Sequence, residues 1–216
     1  FIADQTNGRI RKVNDSGVIS TVVSGLTNPV AVHTRKNGEV YFVDSNSVHK
    51  MDANGLVVRV TSVTNNPTFN WLRFPEKSIF VFVSSVAVFS ETTLIVSDSY
   101  NHLIKMVDSN GSITTIAGNN QGSLANGLNA LNTKLSYPRA ITVMNDEIYL
   151  ADFGNHCIRK IDVSGVMRGV AGICGNGGYS GDGGPATESR LSHPSGLTIA
   201  PNGDLFIAEY GNHIVR

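Results

Sequence analysis

Charge is scarce in this 216-residue chain, and it is balanced: 16% of residues are charged, 17 basic against 17 acidic. A nucleic-acid partner calls for a basic face, and this composition provides none, so no nucleic acid is expected. Long apolar runs are also missing. The longest, Ile79 to Phe89, is interrupted by Ser84 and Ser85 and falls well short of the roughly 20 residues a bilayer span needs. Membrane attachment is therefore expected only through domains outside this segment. The chain has no initiator Met and opens on Phe1-Ile2-Ala3-Asp4, which reads as the middle of a strand and leaves a targeting signal upstream open. With 41% apolar residues the composition is not that of a disordered chain.

What is present is a repeat. The end of one short apolar run recurs as Phe1-Ile2-Ala3-Asp4, Tyr41-Phe42-Val43-Asp44, Ile95-Val96-Ser97-Asp98, Tyr149-Leu150-Ala151-Asp152 and Phe206-Ile207-Ala208-Glu209, with its acid at intervals of 40, 54, 54 and 57 residues. Each run leads through an Asn into a second strand, for example Asn155-His156-Cys157-Ile158-Arg159-Lys160. A polar turn closed by Gly17, Gly55, Gly111 or Gly165 then supplies the positive φ a tight hairpin needs. A third strand follows, and a loop leads to Leu-x-x-Pro (Leu26 to Pro29, Leu72 to Pro75, Leu135 to Pro138, Leu191 to Pro194) and the next strand. Residues 76–84 read as an insertion after Pro75.

The unit is thus four antiparallel strands, a to d, with strand a beginning just after the Pro. Strand b is apolar without alternation, as in Ile148-Tyr149-Leu150-Ala151, which marks a strand covered on both faces. Such a period of strand signals predicts stacked propeller blades. The expected fold is an all-β propeller segment over 1–216, with strands b, c and d of a first blade in 1–25. Blades are expected at about 26–71, 72–134 and 135–190, and a partial last blade at 191–216, about four and a half blades in all.

The Asn-His-Leu triplet at Asn101 to Leu103, with Asn155-His156-Cys157 and Asn212-His213-Ile214, resembles the NHL repeat family. The Ala-Asp before it, the Ile-Arg-Lys after it and Gly181-Asp182-Gly183-Gly184-Pro185-Ala186-Thr187 carry the same resemblance. The family implies a six-bladed propeller in most members, so this chain is expected to be an incomplete ring. It does not imply one activity, since NHL propellers serve as extracellular sensor or adhesion domains, as protein- or RNA-binding modules and, in amidating lyases, as enzymes.

Alternating strand direction puts the b-to-c turns and the long d-to-a loops on one face. Tyr100, Phe153 and Tyr210 from those turns and Tyr179 from a loop are therefore candidates for a protein or small-ligand surface; packing beneath the long loops is the other reading. His102, His156 and His213 repeat at one motif position, which points to a turn-stabilising role rather than a metal site. His33 breaks the strand-a column otherwise held by Ala87, Thr142 and Thr198, and is the candidate for the central channel. The glycine-rich stretch 175–184 holds one acid, Asp182, and fits neither a nucleotide nor an EF-hand loop. Cys174 falls a few residues past the hairpin that begins at Cys157, so a disulfide between them requires the chain to bend back, with two free thiols as the alternative.

These readings lead to a non-enzymatic recognition scaffold, part of a larger extracellular or surface protein, with no cofactor, no metal and no catalytic residue assigned. The alternative is a lyase or hydrolase with a metal site at the channel mouth.

Overall fold

The computed structural model describes residues 1–216 except 36, 61–79, 81, 120, 121 and 123. Among the described residues, eighteen strands form five antiparallel sheets. Blade 1 is β1 (Ile2–Asp4), β2 (Arg9–Val13) and β3 (Ile19–Val23). Blade 2 is β4 (Pro29–Thr34), β5 (Val40–Asp44), β6 (Ser47–Met51) and β7 (Val57–Arg59). Blade 3 is β8 (Val83–Val88), β9 (Leu94–Asp98), β10 (Leu103–Val107) and β11 (Ile113–Ala117). Blade 4 is β12 (Pro138–Met144), β13 (Glu147–Asp152), β14 (Cys157–Ile161) and β15 (Met167–Ala171). Blade 5 is β16 (Pro194–Ile199), β17 (Leu205–Glu209) and β18 (Ile214–Val215).

The strand order a-b-c-d is the expected one, and the fold is an all-β propeller arrangement. The blade count needs correcting. The chain forms five blades, the first and last of three strands each, rather than about four and a half, and the six of a six-bladed ring are not present in it. Val83 and Ser84 do not belong to an insertion. They open β8, where Val83 pairs with Asp98 just as Pro138 pairs with Asp152. The boundary expected at 71/72, Leu72 and Pro75 lie outside the described residues.

Successive blades bury apolar side chains between them. Phe42 and Ile10 lie in the layer between blades 1 and 2, Val43 and Val86 between 2 and 3, Ile104 and Leu150 between 3 and 4, and Ile158 and Leu191 between 4 and 5. Complete removal of a side chain such as Phe42 from water stabilises by up to about 3 kcal/mol. Strand b carries the most burial because a blade covers it on each side: all five residues of β9 are buried. In the outer blades the same strand is more open, with Ile2 44% and Phe206 47% exposed.

At the end of each strand b a carboxylate binds the blade together. Fully buried Asp152 accepts hydrogen bonds from Asn155 Nδ2 at 2.9 Å and the Ser136 N–H at 2.7 Å, and faces Arg159 at 3.5 Å. Arg159, itself buried, donates to the carbonyls of Leu124, Ala125 and Lys134. It thereby fastens the long loop that enters its own blade. Blade 5 repeats this with Glu209, Asn212 and Arg216, the last donating to the Ser180 and Arg190 carbonyls. In blade 3, Asp98 takes Asn101 at 2.8 Å and Lys105 at 2.6 Å.

Blade 2 is entered by only a short connection from β3, and its equivalent of Arg159 is His49, opposite Phe42 in the ladder and stacked on it at 5.3 Å. In blades 4 and 5, each entered by a long loop, the cation at this position also satisfies loop carbonyls.

Arg159→Met should destabilise the protein by about 3–5 kcal/mol, since it leaves Asp152 buried without its cation and removes the guanidinium that donates to three loop carbonyls. Arg159→Lys should cost less. Urea denaturation of the three proteins measures both.

Candidate functional site

The face carrying the b-to-c turns is built from a repeated backbone device. Ser99–Asn101 and Phe153–Asn155 each form one 3-10 turn, ended by His102 and His156 in the left-handed region at φ 58° and 59°. His213 has the same φ of 58°. Residues other than Gly seldom sit there, and the imidazole supplies a compensating bond. His102 Nδ1 accepts the Tyr137 N–H at 3.0 Å, and His156 Nδ1 accepts the His193 N–H at 3.2 Å. Tyr137 and His193 each precede the proline that opens the next blade, so these histidines latch one blade to its successor. The two ring pairs meet edge to face at 4.5 and 4.3 Å. The expected turn role holds, and it extends to an inter-blade contact. Among the described residues no three His, Cys, Asp or Glu side chains are placed to hold a metal ion.

The aromatic candidates divide into two groups. Tyr210 and Phe153 lie 6.3 Å apart, with Phe153 also against His193 at 4.8 Å and under the Arg139 guanidinium at 3.7 Å. Tyr100 instead packs on Phe82 at 5.0 Å and Tyr137 at 5.9 Å. The reason is a shift of one position. Phe153 and Tyr210 follow the acid directly, whereas Tyr100 stands two after Asp98, where blades 4 and 5 have Gly154 and Gly211. A Cβ at Gly154 would lie 2.3 Å from Ser136 Oγ; in blade 3 the Tyr100 ring packs on Phe82, which precedes β8 as Tyr137 precedes β12.

Tyr179 stands apart in the loop entering blade 5. It donates to Asp182 Oδ2 at 2.7 Å under the Arg216 guanidinium. Tyr100, Tyr179 and Tyr210 are 57%, 60% and 65% exposed, so these three are not packed beneath the loops. Phe153 is half-buried and partly structural.

His33 lies on β4 opposite Tyr41 and lines a crevice between blades 2 and 3 at the opposite face. Burial, then the nearby Arg35, holds its pKa below the usual 6.5. Cys157 and Cys174 form a disulfide with Cα atoms 5.1 Å apart, tying β14 to the loop that enters blade 5. The residues not anticipated are Arg139, Tyr137, His193 and the acid–Asn–cation sets. The spacing of three and then four residues in Asp4-Asn7-Arg11, Asp98-Asn101-Lys105, Asp152-Asn155-Arg159 and Glu209-Asn212-Arg216 was the available signal.

The NHL repeat family model matches residues 135–161 and 191–216, which are β12 to β14 with their entry turn and blade 5 with its own. The chain carries NHL repeats. Teneurin-4 of Mus musculus is 25% identical over 272 residues, covering 100% of this chain and 10% of that protein. NHL repeat-containing protein 2 of Bos taurus is 34% identical over 134 residues, covering 56% of this chain and 18% of that protein. This NHL-repeat chain therefore spans a small part of the curated relatives it matches. A chain in a solved nidogen/laminin complex superposes with a TM-score of 0.67 at 14% identity, over 98% of this chain and 70% of that one, a likeness of fold alone.

The His156 latch has a pH signature. Burial first, then His193, lowers the His156 pKa from 6.5, and the imidazolium has no lone pair left for the His193 N–H. A histidine with a lowered folded pKa contributes stability fully above about 6.5 and loses it as pH falls through the folded value. Asp152, which burial pushes up to about 6, titrates in the opposite sense and would mask the effect in a single curve. The test is therefore a difference. His156→Asn keeps an acceptor and tolerates the left-handed region, and the stability advantage of the parent over this variant should shrink as pH falls from about 7.5 to about 5, a span that brackets the His range.

Proposed function

We propose that this NHL-repeat chain is a non-enzymatic recognition module that binds a protein partner through the face bearing Tyr100, Phe153 and Tyr210, and that it belongs to a larger extracellular or surface protein. The observation that carries the reading is the set of exposed rings, Tyr100 at 57% and Tyr210 at 65%, on turns held by buried carboxylates. Large rings held on a rigid support bury much area at little entropic cost. Tyr137, 43% exposed, extends the surface toward blade 4. Arg139, over Phe153, adds a cation at its inner edge.

The disulfide supports the placement outside the cell, because such bonds persist in oxidising compartments. The similarity to teneurin-4 and to a chain of a nidogen/laminin complex is in keeping with a binding role.

To test the face, the chain is displayed as a multimer against a panel of extracellular proteins. A specific binder should be retained by a variant altered on the opposite face and lost by Tyr100→Ser with Tyr210→Ser, both at exposed positions that leave the latches untouched. A binder indifferent to the double variant would refute this placement. Phe153 is not part of that test, since its ring is packed on both sides.

The compartment reading predicts that protein recovered from a secretory host has both cysteines resistant to alkylation until reduced. Replacing Cys157 and Cys174 with Ser together should lower stability by roughly 2–4 kcal/mol in urea titrations.

A further inference from the structure

On the face opposite the aromatic turns, blades 2 and 3 leave a crevice of about 760 Å³, within the range of small-ligand sites. Its counterpart between blades 3 and 4 is about 340 Å³ and mainly apolar, walled by Phe89, Ile95, Met106, Ile148 and Ile161. The contrast traces to one column at the end of strand a, which holds Arg35, Phe89, Met144 and Ala200 in successive blades. Only blade 2 places a cation there.

Arg35 is 13% exposed, lies 5.0 Å above the Tyr41 ring, donates to Glu39 at 3.0 Å and reaches the Ser90 carbonyl of blade 3. Its Nε–H is buried and has no partner among the described residues. Arg11 and Arg159 carry the same enclosed Nε–H, so it is the guanidinium as a whole that shapes this wall. Glu39 takes Lys50, Arg35 and the Tyr41 hydroxyl, an arrangement that holds its pKa at about 2 with the Lys50 hydrogen bond the first cause. The trio of Glu, Tyr and Lys recurs in blade 4 as Glu147, Tyr149 and Lys160. Arg35 and His33 are what blade 2 adds.

The wall decides the ligand class. The cations Arg35 and Lys50 are both paired with Glu39, while Glu91 and Asp108 add negative charge, so an anion meets no net attraction. An apolar ligand would strand the Asn37 amide and the Thr34 and Thr92 hydroxyls. Val88 and Leu94 supply an aliphatic side to the same crevice. Donors and acceptors interleaved beside an aliphatic patch match a ligand whose hydroxyls both give and accept and whose ring C–H groups are apolar. We propose that this crevice is a binding site for an uncharged saccharide, its hydroxyls met by Thr34, Asn37, Thr92 and the carboxylate of Glu91, with Arg35 forming the wall between blades 2 and 3.

The test is a titration of the isotopically labelled chain, followed by NMR, with glucose, galactose and N-acetylglucosamine, and with glucuronate and lysine as charged comparators. At least one neutral sugar should shift the amides of Thr34, Asn37 and Thr92, with a dissociation constant of about 1–10 mM, and leave His102 and His156 unmoved. Arg35→Met, the residue blade 4 uses in that column, should weaken this binding about tenfold. Glu91→Gln, at an exposed position where misfolding is not at issue, should weaken the neutral sugar while improving glucuronate. Silence with every neutral sugar, tighter binding of either charged comparator, or shifts indifferent to both variants would overturn the proposal.

Discussion

The carboxylate at the end of strand b, buried in blades 3, 4 and 5, sets the geometry of everything above it. Asp152 shows the constraint in full: with no solvent to satisfy it, it must collect the Asn155 amide, the Ser136 N–H and the Arg159 guanidinium. Those three donors come from the turn after strand b, the segment entering the blade, and strand c. The need of one buried charge therefore closes the turn, places the incoming chain and orients the next strand together. Glu209 imposes the same order on blade 5 with Asn212, Ser192 and Arg216. Satisfied in this way, a buried charge is structural; deprived of one donor it becomes a liability.

Two faces of different character follow. On the side of the carboxylates the turns are fixed, and the histidines at φ near 58° carry that rigidity to the neighbouring blade through Nδ1. Tyr100 and Tyr210 stand on those turns and Tyr179 on the loop entering blade 5, and all three stay exposed. On the opposite side the a-to-b and c-to-d hairpins diverge between blades, and what fills the gap depends on the strand-a column. Phe89 fills it with carbon between blades 3 and 4, whereas Arg35 leaves a polar crevice between blades 2 and 3.

The resemblance to NHL repeats and the four-strand unit were legible because both rest on local chemistry. A Gly closing each c-to-d turn is needed for its φ of 77–86°, and unbroken apolar residues in strand b are needed where two blades meet. The blade edges were read less well. Val83 and Ser84 were assigned to an insertion because the Leu-x-x-Pro signal falls earlier there, at Leu72 to Pro75, while the strand itself is fixed by pairing with Asp98. The three turn aromatics were taken as equivalent although Tyr100 stands one position later than Phe153. That difference is visible in the alignment of the repeats, but which rings each aromatic meets, Phe82 and Tyr137 for Tyr100 and His193 and Tyr210 for Phe153, is decided between distant segments.

By itself, the sequence determined the periodic elements: which segments are strands, where they turn, and that stacked blades cover strand b on both sides. These follow from residue-level preferences for φ, for alternation and for burial. Tertiary structure alone decided which side chains from different blades meet. It paired His156 with His193, placed Arg139 over Phe153, joined Cys157 to Cys174 and set Arg35 in the wall of a crevice between blades 2 and 3. Those outcomes depend on distances between segments tens of residues apart, which no local spacing encodes.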